Sequence, residues 1–195
     1  MIYVVGLGNP GRRYRLTRHN MGYMVADELA ARNRTVSGKR TRAASVREVE
    51  IEGARAAIVK PLLFMNRSGE ALAGLRGEML KPENRLLVVY DDSALPFGAL
   101  RFRRSGSHGG HRGMESLIRV FGAETAPRLR VGIGANAGGE QLEDYVLSPF
   151  TKEERERLGD VVATAAEAVE TWVRLGIDEA MNRYNRRTPT STKCE

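Results

Sequence analysis

Residues 3–14 read YVVGLGNPGRRY, an apolar run that meets Gly6, Gly8 and Gly11 in a G-x-G-x-x-G spacing. That spacing raises a dinucleotide-binding fold, in which the fingerprint follows a strand, opens a helix directly and is joined by an acidic residue about 20 positions on. The strand is present. The helix is not, because Asn9-Pro10-Gly11 is turn chemistry, with Pro fixing φ and Gly free for φ > 0, and Arg12 to Arg18 carries no apolar stripe. The nearest acids, Asp27 and Glu28, fall inside a helical pattern. The glycines by themselves therefore do not establish a nucleotide cofactor.

Working outward, four short apolar runs read as strands: Ile2 to Val5, Ala54 to Val59, Leu86 to Tyr90 and Leu129 to Ile133. Each is too short for a helix, and continuous apolar character suits strands buried on both faces. RAASVREVEI, from Arg42, alternates and reads as an edge or antiparallel strand. Between these runs lie helical stripes. Met21, Val25 and Leu29 form one after His19-Asn20, and Leu117, Ile118 and Phe121 form another that stops at Gly122. A third opens with Thr151 as N-cap and Glu154 at N3, carries Leu158, Val162, Ala165, Val169 and Trp172 along one face, and stops at Gly176 before a short last helix. The alternation predicts an α/β fold, a largely parallel sheet with helices on both faces.

Composition narrows the class of partner. The chain has 195 residues, enough for one well-buried core, and no linker or internal repeat divides it. One cysteine, Cys194, excludes a disulfide framework and a Cys-based metal site. The start lacks a basic segment followed by a long apolar run, and no stretch approaches the ~18 apolar residues of a membrane span. The expectation is a cytoplasmic, unprocessed protein without a membrane partner. The formal charge of +7 makes an anionic partner worth considering. Arg12, Arg13, Arg15 and Arg18 crowd the loop after the glycines, while Arg101, Arg103, Arg104 and Arg112 crowd a second loop with His108 and His111. Either set is a solvated loop or a phosphate-binding rim.

In such sheets the working crevice lies outside the carboxyl ends of the strands. There the chain delivers Asn9, Tyr14 and His19, then Asn66 beside Phe64, then Asp91 and Asp92. His19, at a helix start, feels the positive end of the helix dipole, which favours the neutral form that can serve as a base, an effect that a neighbouring carboxylate opposes. A carboxylate such as Asp91 at a strand end can fix an imidazole in one tautomer and stabilise its cation. Structural readings stand beside these: a hydrogen-bonded helix-start histidine, and aspartates that initiate the turn before SALPFG. There is no G-x-S-x-G elbow, so water is the natural nucleophile, and the three histidines show no tight metal-ligand spacing. Asn9 and Asn66 can each donate and accept, which suits gripping a peptide-like backbone.

Taken in order, VVGLGNPG..Y...RHN.G, FMN.SG, VYDD...PFG and GGHRGMES resemble the bacterial peptidyl-tRNA hydrolase family, over Met1 to about Asn185. The resemblance implies a monomeric three-layer α/β/α sandwich with a mixed sheet and no cofactor; length and composition set one domain over residues 1–185 and a polar tail over 186–195 that is expected to be disordered. It implies peptidyl-tRNA as substrate, with water attacking the ester between peptide and terminal ribose. His19 becomes the general base, Asp91 its orienting partner, Asn9 and Asn66 the substrate amides, and Tyr14 and Phe64 substrate contacts. The glycines then let the backbone turn tightly beside the ester. Two positions depart from the family: Arg112 stands where Asn is usual, and Ser93-Ala94 where a Leu-Asp pair is usual. Arg112, in a glycine-rich loop at a helix start, is read as a charged contact to the tRNA end. A rival reading is a non-enzymatic RNA-binding relative of the same fold, as in plant organelle splicing factors.

Overall fold

The computed structural model describes residues 1–122, 124, 126–136, 138–139 and 141–185; the tail at 186–195, with Cys194, lies outside the described residues. Among the described residues seven strands form one sheet in the order β2-β3-β4-β1-β5-β7-β6, with β1 Ile2–Gly6, β2 Arg34–Arg40, β3 Ala44–Ile51, β4 Ala54–Pro61, β5 Arg85–Asp92, β6 Leu100–Arg103 and β7 Arg128–Gly132. The four apolar runs are its centre: β4, β1, β5 and β7 pair in parallel. β2 and β3 extend one side antiparallel, and β6 closes the other antiparallel to β7. The sheet is thus mixed, its parallel pairing confined to the middle.

Alternation along these strands builds a core on each face. Ile2, Val4, Ile58, Leu87 and Val89 face the helices α1, Met21–Arg32, and α6, Lys152–Tyr184. Tyr3, Val5, Val59, Val88 and Tyr90 face the opposite layer, made of α2 Ser68–Leu72, α3 Arg76–Met79 and α4 Arg112–Phe121. A last short helix, α5 Leu142–Leu147, lies near the crevice. The helix signals are realised: Gly122 ends α4 at φ 64, Thr151 and Glu154 form a reciprocal capping box, and Gly176 breaks α6 with φ 83.

The glycines of the opening stretch have a different use from the tight turn beside an ester. A Cβ on Gly6 would press into the Gly22 carbonyl oxygen and lie 2.8 Å from the Ala26 Cβ, and one on Gly8 would lie 2.5 Å from the Tyr23 ring. Both sit beneath α1, so their bareness sets how closely that helix approaches β1. Only Gly11, at φ 106, is there for its backbone.

Two strands carry no clear signal. All seven residues of β2 are exposed, so RTVSGKR has no apolar face to show. β6, LRFR, buries only Phe102 fully; Arg101 and Arg103 therefore lie on a strand and not in the expected loop. Arg112 is likewise the first residue of α4.

The close approach of α1 gives a paired expectation. Gly22→Ala would push a methyl into the Val89 carbonyl oxygen and to 2.6 Å from the Leu7 amide, and overpacking should cost about 1–3 kcal/mol or more. Gly159→Ala, in α6 with open space around it, should stabilise by about 0.4–1 kcal/mol. Thermal denaturation of both variants checks the contrast.

Candidate active site

A crevice of about 790 Å³ opens outside the carboxyl ends of β1, β4 and β5. It takes in every candidate catalytic or substrate-contact residue of the sequence reading, Asn9, Tyr14, His19, Phe64, Asn66, Asp91 and Arg112, but not Arg12, Arg13, Arg15, Arg18, Arg101 or Arg104. How each arrives follows from the chain. β1 ends at Gly6, and the segment after it returns through a 3₁₀ turn, Arg18–Asn20, that leads into α1 and presents His19.

That turn is tied down on both sides of His19. Arg18 is buried, its guanidinium 2.7 Å from Glu154, 3.3 Å from the Ile133 carbonyl and stacked 4.6 Å from the Tyr145 ring centroid. Glu154 therefore serves twice, closing the capping box of α6 and neutralising Arg18. Asn20 accepts from the Asn9 amide at 2.8 Å and donates to the Asn9 carbonyl at 3.0 Å. Asn9 in turn accepts the Met65 amide on its side-chain oxygen at 2.8 Å. With Oδ1 so occupied, its Nδ2 donor is left for the crevice, which the exposed Asn66 also lines.

The centre is Asp91, the penultimate residue of β5. His19 Nδ1 lies 2.9 Å from its carboxylate oxygens, and His111 Nε2 lies 3.1 Å from Oδ1. His111 is also the N-cap of α4, its Nδ1 accepting the Met114 amide at 3.2 Å. That bond fixes the tautomer: Nδ1 accepts, so Nε2 carries the proton and donates to Asp91. Both nitrogens of His111 are therefore committed. His19, by contrast, donates from Nδ1 and keeps Nε2 to accept a proton. The two histidines have different capacities despite sharing one carboxylate.

Electrostatics keeps the carboxylate charged beside the His19 ring. Burial pushes the His19 ring down, but the Asp91 charge and hydrogen bond raise it, and the net shift from 6.5 is upward. Burial pushes the Asp91 carboxyl up, yet His19 and His111 outweigh it and hold the group well below the carboxylate range. Asp91 thus stays ionised next to a readily protonated ring. Asp92 does other work: its Oδ1 accepts the Ala94 amide at 2.9 Å and its Oδ2 faces Arg130.

His19, Asp91 and His111 also place possible metal-ligand atoms within 4.8 Å of one another. The arrangement is satisfied by two N–H donors on one carboxylate, so a metal ion would have to displace protons from both rings. At the crevice mouth Phe64, 56 % exposed, packs edge-on against Tyr14, over which Arg13 stacks. The glycine-rich wall is held by buried Arg128, which donates to the carbonyls of Gly106, Ser107, Glu124 and Ala126. Arg112 lines the crevice, but its guanidinium lies 3.2 Å from Glu143 of α5, a partner that no pattern in the sequence marks. His111 and Asn20 were also missed as parts of the site. RHN and GGH stand in the quoted motifs, but which ring shares Asp91 depends on a contact 20 residues apart.

Comparisons with known proteins point to one family. The family model described as Peptidyl-tRNA hydrolase matches residues 3–192. Curated peptidyl-tRNA hydrolases from Roseiflexus sp. and Carboxydothermus hydrogenoformans are 47% and 46% identical, covering 97% and 95% of this chain and 88% and 99% of theirs. A crystal structure of peptidyl-tRNA hydrolase from Acinetobacter baumannii superposes with a TM-score of 0.86 at 28% identity, covering 97% of each chain.

Asn20 gives the site its own test. Asn20→Ala removes both bonds that lock Asn9 and leaves buried backbone groups unpaired, which should cost about 1–3 kcal/mol per orphaned group. Denaturant unfolding checks it; a loss below ~0.5 kcal/mol would mean the lock is dispensable.

Proposed function

The chain belongs to the peptidyl-tRNA hydrolase family, and from that premise we propose that it cleaves the ester of peptidyl-tRNA with His19 as the general base. The observation that carries the reading is the unequal state of the two histidines on Asp91. One ring nitrogen in the pair, Nε2 of His19, is free to take a proton.

The steps follow from that placement. A water in the crevice gives its proton to His19 Nε2 as its oxygen attacks the ester carbonyl carbon. The imidazolium formed is stabilised by ionised Asp91. Negative charge gathers on the former carbonyl oxygen, and the Asn9 Nδ2 donor, fixed by the Met65 bond, offers a preorganised partner. The tetrahedral centre then collapses, the carbon–oxygen bond to the ribose breaks, and the imidazolium returns its proton to the leaving ribose oxygen. An alkoxide leaves more readily than an amide nitrogen, so one base and one donor suffice. Asn66, Tyr14 and Phe64 hold the substrate around the reacting carbonyl, and the protein acts as a monomer in the cytoplasm without a cofactor. Among the described residues no helix is long and apolar enough to cross a membrane. An RNA-binding role without catalysis is not favoured, because it has no use for a buried carboxylate holding one ring so that a nitrogen stays free.

His19→Ala should lower turnover of N-acetyl-aminoacyl-tRNA by about 10²–10⁴ while tRNA binding stays near normal. Because the His19 pKa is raised above 6.5 by Asp91, the rate should rise with pH through that raised value as the ring loses its proton. Asp91→Asn removes the raising charge and leaves burial, so its acid limb should move to lower pH at a reduced maximum. An unmoved limb, or harm from Asp92→Asn with Asp91→Asn harmless, contradicts the assignment.

Arg112 reaches the tRNA end by exchanging Glu143 for a phosphate. Both side chains are more than half exposed, so the exchange gives up little. Arg112→Asn should weaken tRNA binding at low salt and lower the salt slope of log K by about 0.7–0.9, with the chemical step little changed. Glu143→Gln should tighten binding. Parallel lines of equal height across a salt series would dismiss the contact.

A further inference from the structure

The hairpin of β2 and β3 is charged unevenly along its length. At the end remote from the crevice its arginines are neutralised, Arg34 by Glu50 and Arg55 of β4 by Glu48. At the other end β2 runs out through Arg40 to Arg42, both exposed, and among the described residues neither has a carboxylate within ion-pair distance. The same holds for Arg12 and Arg15 in the segment after β1. β2 is also an edge strand with seven exposed residues.

These two unpaired sets lie on one continuous rim. β1 and β4 are parallel, so both end at the crevice. β3 is antiparallel to β4, with Ala44 opposite Pro61, and β2 is antiparallel to β3, with Arg40 opposite Ser45. The β2–β3 turn therefore emerges on the crevice edge. Contacts join the pieces: Tyr14 packs on Phe64, Leu62 donates to the Ala43 carbonyl at 2.6 Å, and the Tyr23 hydroxyl of α1 donates to the Pro61 carbonyl at the end of β4. From β1 to β2 is three strand spacings, roughly 14 Å. That length spans more than one backbone phosphate.

We propose that Arg12, Arg15, Arg40 and Arg42 form a phosphate-binding strip that holds the body of the tRNA, running from the crevice mouth out to the β2–β3 turn. The occupant follows from charge complementarity: unpaired, exposed guanidiniums on one rim fit a polyanion, and the tRNA is the constant polyanion of the substrate, whereas the peptide varies. The proposal rests on the function above. The strip adds binding and steering and no chemistry, since none of its residues reaches the Asp91 centre.

The test compares wild type with Arg40→Gln/Arg42→Gln and with a charge-neutral control on the same hairpin, Arg34→Gln/Glu50→Gln. Affinity for deacylated tRNA is measured by fluorescence anisotropy over a salt series. Steady-state hydrolysis is measured with N-acetyl-aminoacyl-tRNA and with N-acetyl-aminoacyl-adenosine, which lacks the tRNA body. The strip variant should lose about 1.4–1.8 in the slope of log K against log salt, raise KM for the full substrate with kcat unchanged, and treat the adenosine ester as wild type does. The control should leave all of these in place. An unchanged slope and KM overturns the strip, as does equal damage toward the adenosine ester, which would place the arginines at the peptide or the reacting end. A wild type that binds tRNA but hydrolyses neither ester would sink the enzymatic reading alone, because the strip is scored by binding.

Discussion

A carboxylate buried at the end of a central strand is costly unless its charge is met by donors, and Asp91, 4% exposed, is met by two imidazole rings from distant parts of the chain. His19 comes from 72 residues earlier and His111 from 20 later. Both layers of helices contribute: His19 precedes α1 on one face of the sheet, and His111 caps α4 on the other. The carboxylate thus clamps the two layers together at the crevice, and the site and the closure of the fold at that edge are one construction.

The precision of the clamp depends first on close helix packing and then on polar ties to the turn that carries His19. Gly6 and Gly22 let α1 sit directly on β1 and β5, which sets where the turn carrying His19 can lie. Arg18 anchors that turn to α6 through Glu154, and Asn20 anchors it to Asn9. Asn9 is thereby oriented by the same turn that presents the base. Base and donor share one support, so a shift in either moves both.

The sequence made the buried parts of this construction legible. β1, β4, β5 and β7 show as apolar runs because both of their faces are covered, and Thr151 with Glu154 announces α6 because capping is local. β2 escaped because an edge strand with no covered face has no period to display, and β6 because one buried Phe102 is too little pattern. At the site, Asn9, His19, Asn66 and Asp91 stand out as polar residues at the ends of apolar runs or in the segments that follow them. Arg112 was visible as a charge, but its pairing with Glu143 depends on how α5 folds back over the crevice. His111 looked like one more loop histidine beside His108, since the tautomer that commits it is set by a helix cap and a tertiary contact together. The glycines misled in the opposite way, suggesting a backbone cradle where the structure uses bare surface for helix packing.

The claim that the two rings differ is open to direct observation. Long-range proton–nitrogen correlation spectra of the ring-labelled protein report which nitrogen of each histidine carries hydrogen in the neutral state. The account predicts the Nδ1–H form for His19 and the Nε2–H form for His111. Finding His19 with its proton on Nε2 at neutral pH would contradict it, because the nitrogen facing the crevice would then have no lone pair with which to take a proton from water.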